Sequence, residues 1–367
     1  MNRRPSRSRT DYDSFSPHHT ANFKAAKPDT HFFDTRKKRS FGLKLAQFFL
    51  FFILLVFAGN FIANQFVFVK RIQVPVRSLS EEHEGYTLLH ISDLKGASFG
   101  SKQGLLTFAL GKAEYDAVVL TGDMISSRGN AQPFYALIEA LRSRNPGAPI
   151  YFIPGDGDPP AASERNFAGG SPFAPWVLGA QQRGATLLHA PLPLTSQEQT
   201  IWLMPSTSLN LDVDTMQGQY EQQYLHALSS GDKNAEELAA FNLKGLEDTR
   251  SARSAMKEND PIITLTHVPP QPHETWPSDA NLTLCGHYLG GMICLPFVGP
   301  LFVPAQHLPR YGLSPGTGRF NGLQRSGRSL IYTNPGLGSS TGEYPSFFFR
   351  LFNPPSVTLL TLTPSSL

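Results

Sequence analysis

The order of apolar segments in this 367-residue chain predicts an α/β fold preceded by one transmembrane helix. Runs of strand length alternate with segments of helical periodicity, as in strand Ala117–Leu120, helix Pro133–Arg144 and strand Ile150–Ile153. Strands joined by helices in this order are connected by right-handed crossovers and build a largely parallel sheet. One uninterrupted apolar stretch near the N-terminus is long enough to cross a bilayer.

The first 40 residues are polar and show no apolar periodicity, so residues 1–40 are predicted to be a disordered basic tail. Residues 1–44 contain eleven Lys and Arg residues against four Asp residues, a surplus of seven positive charges, whereas the whole chain carries +3. The remainder is therefore negative by four charges. This balance argues against nucleic acid as a partner, because the positive charge belongs to the tail.

Residues 41–70 are predicted to form the transmembrane helix. The 25 residues of Leu45–Val69 include no charged side chain. As a helix they would reach roughly 37 Å, longer than the ~30 Å hydrocarbon core of a bilayer. A cleaved signal peptide is the alternative, although Ala58-Gly59-Asn60 is a poor cleavage site. More positive charges precede the span than follow it, which favours a single-pass protein of the cell membrane with a cytoplasmic tail and an extracytoplasmic domain.

Residues 71–367 are interpreted as one globular domain. Helical spacing between Gln217 and Lys257 predicts two helices, within an insertion at about residues 206–258. Toward the C-terminus strands and loops dominate, and Ser329–Thr333 and Val357–Leu362 are typical of a second sheet.

The chain contains two cysteines, Cys285 and Cys294, which excludes a disulfide scaffold and a multi-cysteine zinc site. They could pair across a hairpin in an oxidising compartment, but two buried free thiols are the favoured interpretation.

Polar side chains of the kind that bind metals directly follow five predicted strands. They are Asp93 and Lys95 after Leu88–Ile91, Asp123 after Ala117–Leu120, Asp156 and Asp158 after Ile150–Ile153, His267 after Ile262–Leu265, and His287 after Leu282–Cys285. One such residue alone more often caps a turn. The carboxyl ends of parallel strands meet at one edge of a sheet, where carboxylates and imidazoles together bind divalent metals. Five such strand ends in one chain therefore favour a metal site.

These motifs resemble the signature of the calcineurin-like metallophosphoesterases, in particular their membrane-attached bacterial branch. That family has Asp-x-His, Gly-Asp, Gly-Asn-His-Asp, His and Gly-His-x-His in this order, and the chain follows it from about Tyr86 to Leu362. Three motifs are altered, to Asp93-Leu94-Lys95, Gly155-Asp156-Gly157-Asp158 and Gly286-His287-Tyr288-Leu289. The resemblance implies a four-layer α/β/β/α sandwich with a metal cleft along one edge of the sheets.

The resemblance also implies which metal site survives. In the family, two metals share a bridging carboxylate and a bridging hydroxide and clamp the phosphate during in-line attack. The second-metal site keeps a donor at every position: Asp123, Asp156, His267 and His287. The first-metal site keeps Asp93 and Asp123, but Lys95 and Leu289 stand at its two imidazole positions, and neither binds a cation at neutral pH. One divalent metal (Mn, Fe or Zn) is therefore expected, and a second is not.

Lys95 is the residue of this set to which a catalytic role is assigned. Its ammonium is expected to stand near the vacated first-metal position and to pair with Asp93 and Asp123. An ammonium replaces charge, but it cannot lower the pKa of a bound water as two metals do. The imidazole of the family's Gly-Asn-His-Asp motif is also absent, at Gly157. Losing one such element typically reduces the rate by about 10² to 10³.

Two functional hypotheses follow. The first is a membrane-anchored phosphoesterase that is weak or uses one metal with Lys95. Its ligand would be a phospholipid or a nucleotide-linked glycolipid, since the family branch includes enzymes that act on UDP-diacylglucosamine. The second is a pseudoenzyme that binds a ligand or a partner protein at the retained cleft, and the replaced residues favour it. A third interpretation, in which the Asp and His residues only cap loops, conflicts with the intact second-metal set.

Overall fold

The computed structural model describes residues 41–125, 129–163, 171–195, 198–270, 279–295, 298–303, 313, 320–339 and 350–365. The predicted basic tail at residues 1–40 lies outside these ranges.

A first sheet of six strands contains the predicted parallel repeat. Its strands are β1 (Phe68–Arg77), β2 (Thr87–Ile91), β3 (Ala117–Thr121), β4 (Ile150–Ile153), β5 (Ala185–Leu187) and β14 (Ser356–Ser365). They lie in the order β1-β14-β2-β3-β4-β5, with β2 to β5 parallel and β14 antiparallel to β2. The prediction that Val357–Leu362 belongs to a second sheet is therefore wrong, because this segment lies in β14 and pairs with β1 and β2 of the first sheet. Three helices connect the parallel strands: α2 (Gly104–Leu110), α3 (Gln132–Arg144) and α4 (Pro175–Gln182).

A second sheet of six strands follows the first in the chain. Its strands are β6 (Leu192–Pro193), β7 (Trp202–Pro205), β8 (Ile262–Leu265), β9 (Leu282–Cys285), β12 (Gly322–Ser326) and β13 (Ser329–Thr333). They lie in the order β12-β13-β9-β8-β7-β6, and the four central strands are parallel. A separate antiparallel hairpin consists of β10 (Ile293–Leu295) and β11 (Gly299–Phe302).

Two long helices, α5 (Val213–Ser230) and α6 (Lys233–Ala255), connect β7 to its parallel neighbour β8. Each begins at an aspartate whose carboxylate accepts hydrogen bonds from the first free backbone amides, Asp212 for α5 and Asp232 for α6. The two helices predicted between Gln217 and Lys257 are therefore present, and the first begins at Val213.

Alternate residues of the first sheet point into two different apolar layers. In β2, Leu89 packs with residues of α2 to α4 such as Phe134, whereas Leu88 packs with residues of the second sheet such as Leu284. This alternation is the period of a strand that is buried on both faces. The two sheets therefore stack face to face, with α2 to α4 on the outer face of the first sheet, which confirms the predicted α/β sandwich.

The N-terminal helix α1 (Phe41–Ala63) is the one described helix that is long and apolar enough to cross a membrane, and none of its residues is buried. The prediction of a helix over residues 41–70 is wrong from Asn64 onward. The side-chain amide of Asn64 donates a hydrogen bond to the carbonyl oxygen of Arg350 at 2.8 Å, and Phe68 begins β1 opposite Ser356. The last apolar residues of the predicted span thus belong to an edge strand. The 23 residues of α1 still extend roughly 34 Å.

Candidate metal centre

The six predicted site residues come together at the carboxyl ends of β2, β3, β4, β8 and β9. They are Asp93, Lys95, Asp123, Asp156, His267 and His287, and each has a nitrogen or oxygen atom within 4 Å of another member of the set. Two overlapping groups within the set have the spacing of metal ligands: one is Asp156, His267 and His287, and the other is Asp93, Asp123 and His267. We call Asp156, His267 and His287 the retained half, and Asp93, Lys95 and Leu289 the altered half. Asp123 lies between the two halves.

In the retained half, both imidazoles face one carboxylate. Nε2 of His267 lies 3.0 Å from Oδ1 of Asp156, and Nδ1 of His287 lies 3.1 Å from the same oxygen. Nε2 of His267 also lies 3.4 Å from Oδ2 of Asp123. The two rings are 5.3 Å apart and nearly perpendicular. The side chain of Asp156 is 57% exposed, so this half opens to solvent.

The orientation of His267 fits a metal ligand. Its Nδ1 lies 2.7 Å from the carbonyl oxygen of Thr121, and because a carbonyl only accepts, Nδ1 must donate. Nε2 is then directed at the carboxylates, and it is buried without a hydrogen bond of good geometry to any described residue. Metal-binding imidazoles commonly donate their second nitrogen to a backbone carbonyl in this way.

Opposite charges shift the ionisation of these groups. Burial by itself lowers the pKa of His267, but the carboxylates of Asp123 and Asp156 outweigh it and the pKa is raised well above its ordinary value. The imidazoles of His267 and His287 hold the pKa of Asp156 far below its usual range. Burial raises the pKa of Asp123, but the opposite charges of His267 and Lys95 lower it by more than burial raises it. The net pKa lies below its ordinary value, so this carboxylate is ionised.

In the altered half, protein groups already balance the charges. Nζ of Lys95 lies 2.6 Å from Oδ2 of Asp123 and 3.7 Å from Oδ1 of Asp93. Burial lowers the pKa of Lys95, but Asp93 and Asp123 raise it by more, so the ammonium is retained. Oδ2 of Asp93 accepts hydrogen bonds from the hydroxyl of Ser92 at 2.6 Å and from the amide of His287 at 3.0 Å.

Backbone strain is concentrated in this site. Nine described non-glycine residues have positive φ, and five belong to the site: Asp93, Lys95, Asp123, His287 and Leu289, with φ between 49° and 73°. Such conformations are unfavourable by about 1–3 kcal/mol each and persist where the surroundings enforce them. A Cβ atom at Gly155 would overlap the carboxylate of Asp123, and one at Gly286 would overlap Ser92. The glycines of the motifs are therefore required by close packing against the aspartates.

The remaining motif residues have structural contacts. Asp158, predicted to be a turn residue, accepts hydrogen bonds from the amides of Gly155 at 2.9 Å and Ile125 at 2.8 Å. Tyr288 is buried between His287 and Phe320, with ring centroids 5.0 Å from each. Packing thus accounts for Tyr288.

The two cysteines do not form a disulfide. Cys285 is fully buried, as expected, but Cys294 is only partly buried, so the prediction of two buried thiols is wrong for Cys294. Cys294 lies in β10 of the two-stranded hairpin, outside both six-stranded sheets.

Sequence reasoning missed Arg350, which holds the loops of the altered half. Its side chain is fully buried, and its five hydrogen bonds, of 2.6–3.1 Å, reach the carbonyl oxygens of Leu289, Pro335, Gly336, Gly338 and Asn353. Burial lowers its pKa to about 10, so the guanidinium stays charged at neutral pH. The sequence around Arg350 carries no motif that would have identified this role.

Comparisons with known proteins agree with the family suggested by the sequence motifs. Residues 86–297, more than half of the chain, match the family model described as calcineurin-like phosphoesterase. The chain is 25% identical over 286 residues to the uncharacterized metallophosphoesterase YkuE of Bacillus subtilis, covering 76% of this chain and 79% of that protein. It is 34% identical over 108 residues to the phosphodiesterase YaeI of Escherichia coli, covering 29% and 34%. Among solved structures, the phosphopantetheinyl hydrolase PptH of Mycobacterium tuberculosis matches with a TM-score of 0.34 and 13% identity over 68% of this chain and 89% of that one.

Proposed function

The chain belongs to the calcineurin-like phosphoesterase family, and we propose that it is a membrane-anchored phosphoester hydrolase that works with a single divalent metal. The metal would be held by Asp123, Asp156, His267 and His287. The observation that carries the proposal is the 2.6 Å contact between Nζ of Lys95 and Oδ2 of Asp123. Through this contact the ammonium places a positive charge beside Asp123, the carboxylate that both metals would share. The family resemblance assigns that positive charge to a second metal.

The charges support one metal rather than two. Asp93, Asp123 and Asp156 carry three negative charges, and Lys95 with one divalent ion carries three positive charges. A second divalent ion would have to displace a buried ammonium that already pairs with two carboxylates. It would also lack the two imidazoles that the family resemblance assigns to the first-metal site, because Lys95 and Leu289 stand at their positions.

Each residue then has a defined task. When bound, a divalent metal polarises phosphoryl oxygens and lowers the pKa of a bound water. The amide of Gly157 donates to Oδ1 of Asp123 at 2.7 Å and fixes that carboxylate, while Lys95 neutralises it and offers its remaining protons to a phosphate oxygen. No side chain at Gly157 can protonate the leaving oxygen. Esters with acidic leaving groups are therefore the expected better substrates.

The membrane assignment rests on α1, a predominantly apolar helix of 23 residues, none of which is buried. We infer a single-pass protein of the cell membrane with its basic tail in the cytoplasm and the metal centre outside. The bilayer would present phosphate groups of a phospholipid or a nucleotide-linked glycolipid to the cleft.

A pseudoenzyme is the second candidate, and the altered half favours it. The pairing of Lys95 with two aspartates can also be interpreted as a structural substitute for a lost metal, with ligand binding retained and chemistry lost. Losing one stabilising element commonly lowers the rate by about 10² to 10³, and three elements differ from the family pattern here.

The test is metal content together with turnover of the detergent-purified full chain. We expect one Mn²⁺ per chain, and measurable hydrolysis of p-nitrophenyl phosphodiester or monoester that requires the metal. Asp123→Ala and His287→Ala should each abolish both properties. His226→Ala, which removes an exposed imidazole of α5, is the control and should change neither. Metal binding without turnover would select the pseudoenzyme, and absence of bound metal would overturn the hydrolase and leave only a pseudoenzyme without metal.

A further inference from the structure

The end of α1 is attached to the globular domain by side-chain hydrogen bonds. The side-chain amide of Asn64 donates to the carbonyl oxygen of Arg350 at 2.8 Å, and the carbonyl oxygen of the Asn60 side chain accepts from the amide of Phe352 at 3.3 Å. Asn60 lies in the last turn of α1, and Asn64 directly follows the helix. The segment Arg350–Asn353 therefore forms hydrogen bonds with the C-terminal end of α1 and with the residue that follows it.

Three aromatic side chains surround this attachment, and all are about half exposed: Phe66 at 50%, Phe68 at 49% and Phe352 at 49%. Phe66 and Phe68 follow the helix directly, and Phe352 belongs to the segment that receives it. At the helix end itself, Phe61 and Ile62 are 62% and 58% exposed. The apolar surface of the helix thus continues onto the domain.

Phe352 is held in an unfavourable conformation, with φ at 58°. A bulky side chain rarely adopts positive φ, and such residues persist where the surroundings enforce them. Its neighbour Leu351 is fixed by backbone hydrogen bonds with Met292 and Cys294, at 2.8 and 3.0 Å. The structure therefore keeps an aromatic ring exposed at a position where a smaller or more flexible residue would relieve the strain.

We propose that Phe66, Phe68 and Phe352 form a membrane-facing aromatic surface by which the domain rests in the interfacial region of the lipid bilayer. Aromatic side chains are enriched at that depth in membrane proteins. The exposed Arg71 of β1 lies three residues beyond Phe68, where its charge suits lipid phosphate groups. The occupant is lipid because the aromatic surface is continuous with the candidate span.

The same segment connects this surface to the candidate metal centre. The guanidinium of Arg350 and the side-chain amide of Asn353 both donate to the carbonyl oxygen of Leu289, at 2.8 and 2.7 Å. Leu289 is two residues after His287. The aromatic surface therefore sets the position of the His287 loop relative to the bilayer.

The inference rests on the proposed membrane anchorage, and spin labelling of the full chain in phosphatidylcholine–phosphatidylglycerol vesicles tests the two separately. Nitroxides are attached to Phe352→Cys and to Phe68→Cys in a Cys294→Ser background, in which the remaining Cys285 is buried. Leu55→Cys within α1 is the reference for lipid, and Leu225→Cys, 64% exposed on α5, is the reference for water. Collision rates with oxygen and with a water-soluble nickel complex are measured at each position.

We expect oxygen collisions to exceed nickel collisions at positions 352 and 68, as at 55, and the reverse at 225. If positions 352 and 68 resemble 225 while 55 reports lipid, the aromatic surface is refuted and the anchorage stands. Low collision rates with both reagents at 352 and 68 would indicate a protein partner and also refute the proposal. Water exposure at position 55 would refute the anchorage itself, and with it the inference. The probe at Phe68 keeps the test decisive if Phe352→Cys does not fold.

Discussion

In the retained half of the candidate metal centre, two imidazoles face a carboxylate that is mostly exposed, whereas in the altered half the charges are buried and already paired. The side chain of Asp156 is 57% exposed, while that of Asp93 is fully buried and that of Lys95 is 17% exposed. His267 directs its buried Nε2 into the retained half, toward the carboxylates of Asp156 and Asp123 at 3.0 and 3.4 Å. The retained half is thus suited to bind an ion from solution. In the altered half, the charges of the carboxylates are already balanced by protein side chains.

Under the proposed single-metal function, this difference explains how a site of the family's two-metal kind would keep its shape with one metal. Removing a cation from between buried carboxylates would leave uncompensated charge, which is strongly unfavourable. In this chain Lys95 pairs with the carboxylates of Asp93 and Asp123, and Arg350 holds the neighbouring loops through backbone carbonyls. We therefore expect substitutions in the altered half to affect stability and those in the retained half to affect metal binding.

The largest expected effect on stability is at Arg350. Arg350→Met would leave buried carbonyl oxygens without donors, and each unsatisfied group costs about 1–3 kcal/mol. The free energy of unfolding should fall by at least about 3 kcal/mol, measured by denaturant unfolding of the detergent-solubilised chain. Arg325→Met, at an exposed position of β12, is the control and should change it by less than about 0.5 kcal/mol. Equal midpoints for the two variants would contradict the role of Arg350.

Restoring the imidazoles should reverse the asymmetry. Lys95→His combined with Leu289→His is expected to raise the metal content from one to two ions per chain and turnover by about 10²-fold, the usual size of one stabilising element. His tolerates positive φ better than most residues, and both positions have φ near 50°. Lys102→His is the matched control, since Lys102 is exposed and also has a φ of 49°. An unchanged metal content would show that the altered half is not a former metal site.

His90, behind the retained half, should make stability depend on pH. Its Nε2 lies 2.8 Å from the hydroxyl of Thr121, and burial lowers its pKa from 6.5 to about 3. The unfolded chain therefore binds this proton more tightly, and stability is complete above pH 6.5 and is lost as the pH falls toward 3. The slope should reach about 1.4 kcal/mol per pH unit.

His90→Gln should flatten this slope between pH 6.5 and pH 4, as followed by denaturant unfolding at each pH. His226→Gln, at an exposed position, should leave it unchanged. The same slope in wild type and His90→Gln would mean that another group titrates in this window.

The smallest expected effect is at Asp158, which supports the loop of Asp156. Asp158→Asn replaces one carboxylate oxygen by an amide and removes one of its two backbone hydrogen bonds, so stability should fall by about 1 kcal/mol. Metal content, measured by elemental analysis, should stay at the wild-type value, in contrast to His287→Ala. A loss of metal in Asp158→Asn would assign Asp158 to the ligand-positioning residues.

Much of the fold was predictable because the parallel strands are apolar runs of the expected length. The strands Ile150–Ile153, Ile262–Leu265, Leu282–Cys285 and Ser329–Thr333 have the predicted bounds. The boundary between α1 and β1 was not predictable, because Phe66–Val69 is as apolar as the helix before it. Only the pairing of β1 with β14 distinguishes the two states, and that partner lies almost 300 residues away.

The residue types in the site were also readable from the sequence. Glycine before Asp156 and before His287 indicates close backbone approach, and the structure shows these glycines against Asp123 and Asp93. Arg350 gave no such signal, because its partners are carbonyl oxygens, which every residue carries. A residue whose partners are all backbone atoms cannot be recognised from the identities of those partners.

By itself the sequence determined the chemical inventory: which strand ends carry carboxylates, imidazoles and an amine, and which family positions no longer carry a ligand. Only the tertiary structure decided the distances, such as 2.6 Å between Lys95 and Asp123, and the attachment of α1 to the segment that begins at Arg350. The physical reason is that residue type sets what a side chain can bind. Which groups actually meet depends on contacts between parts of the chain that are far apart in sequence.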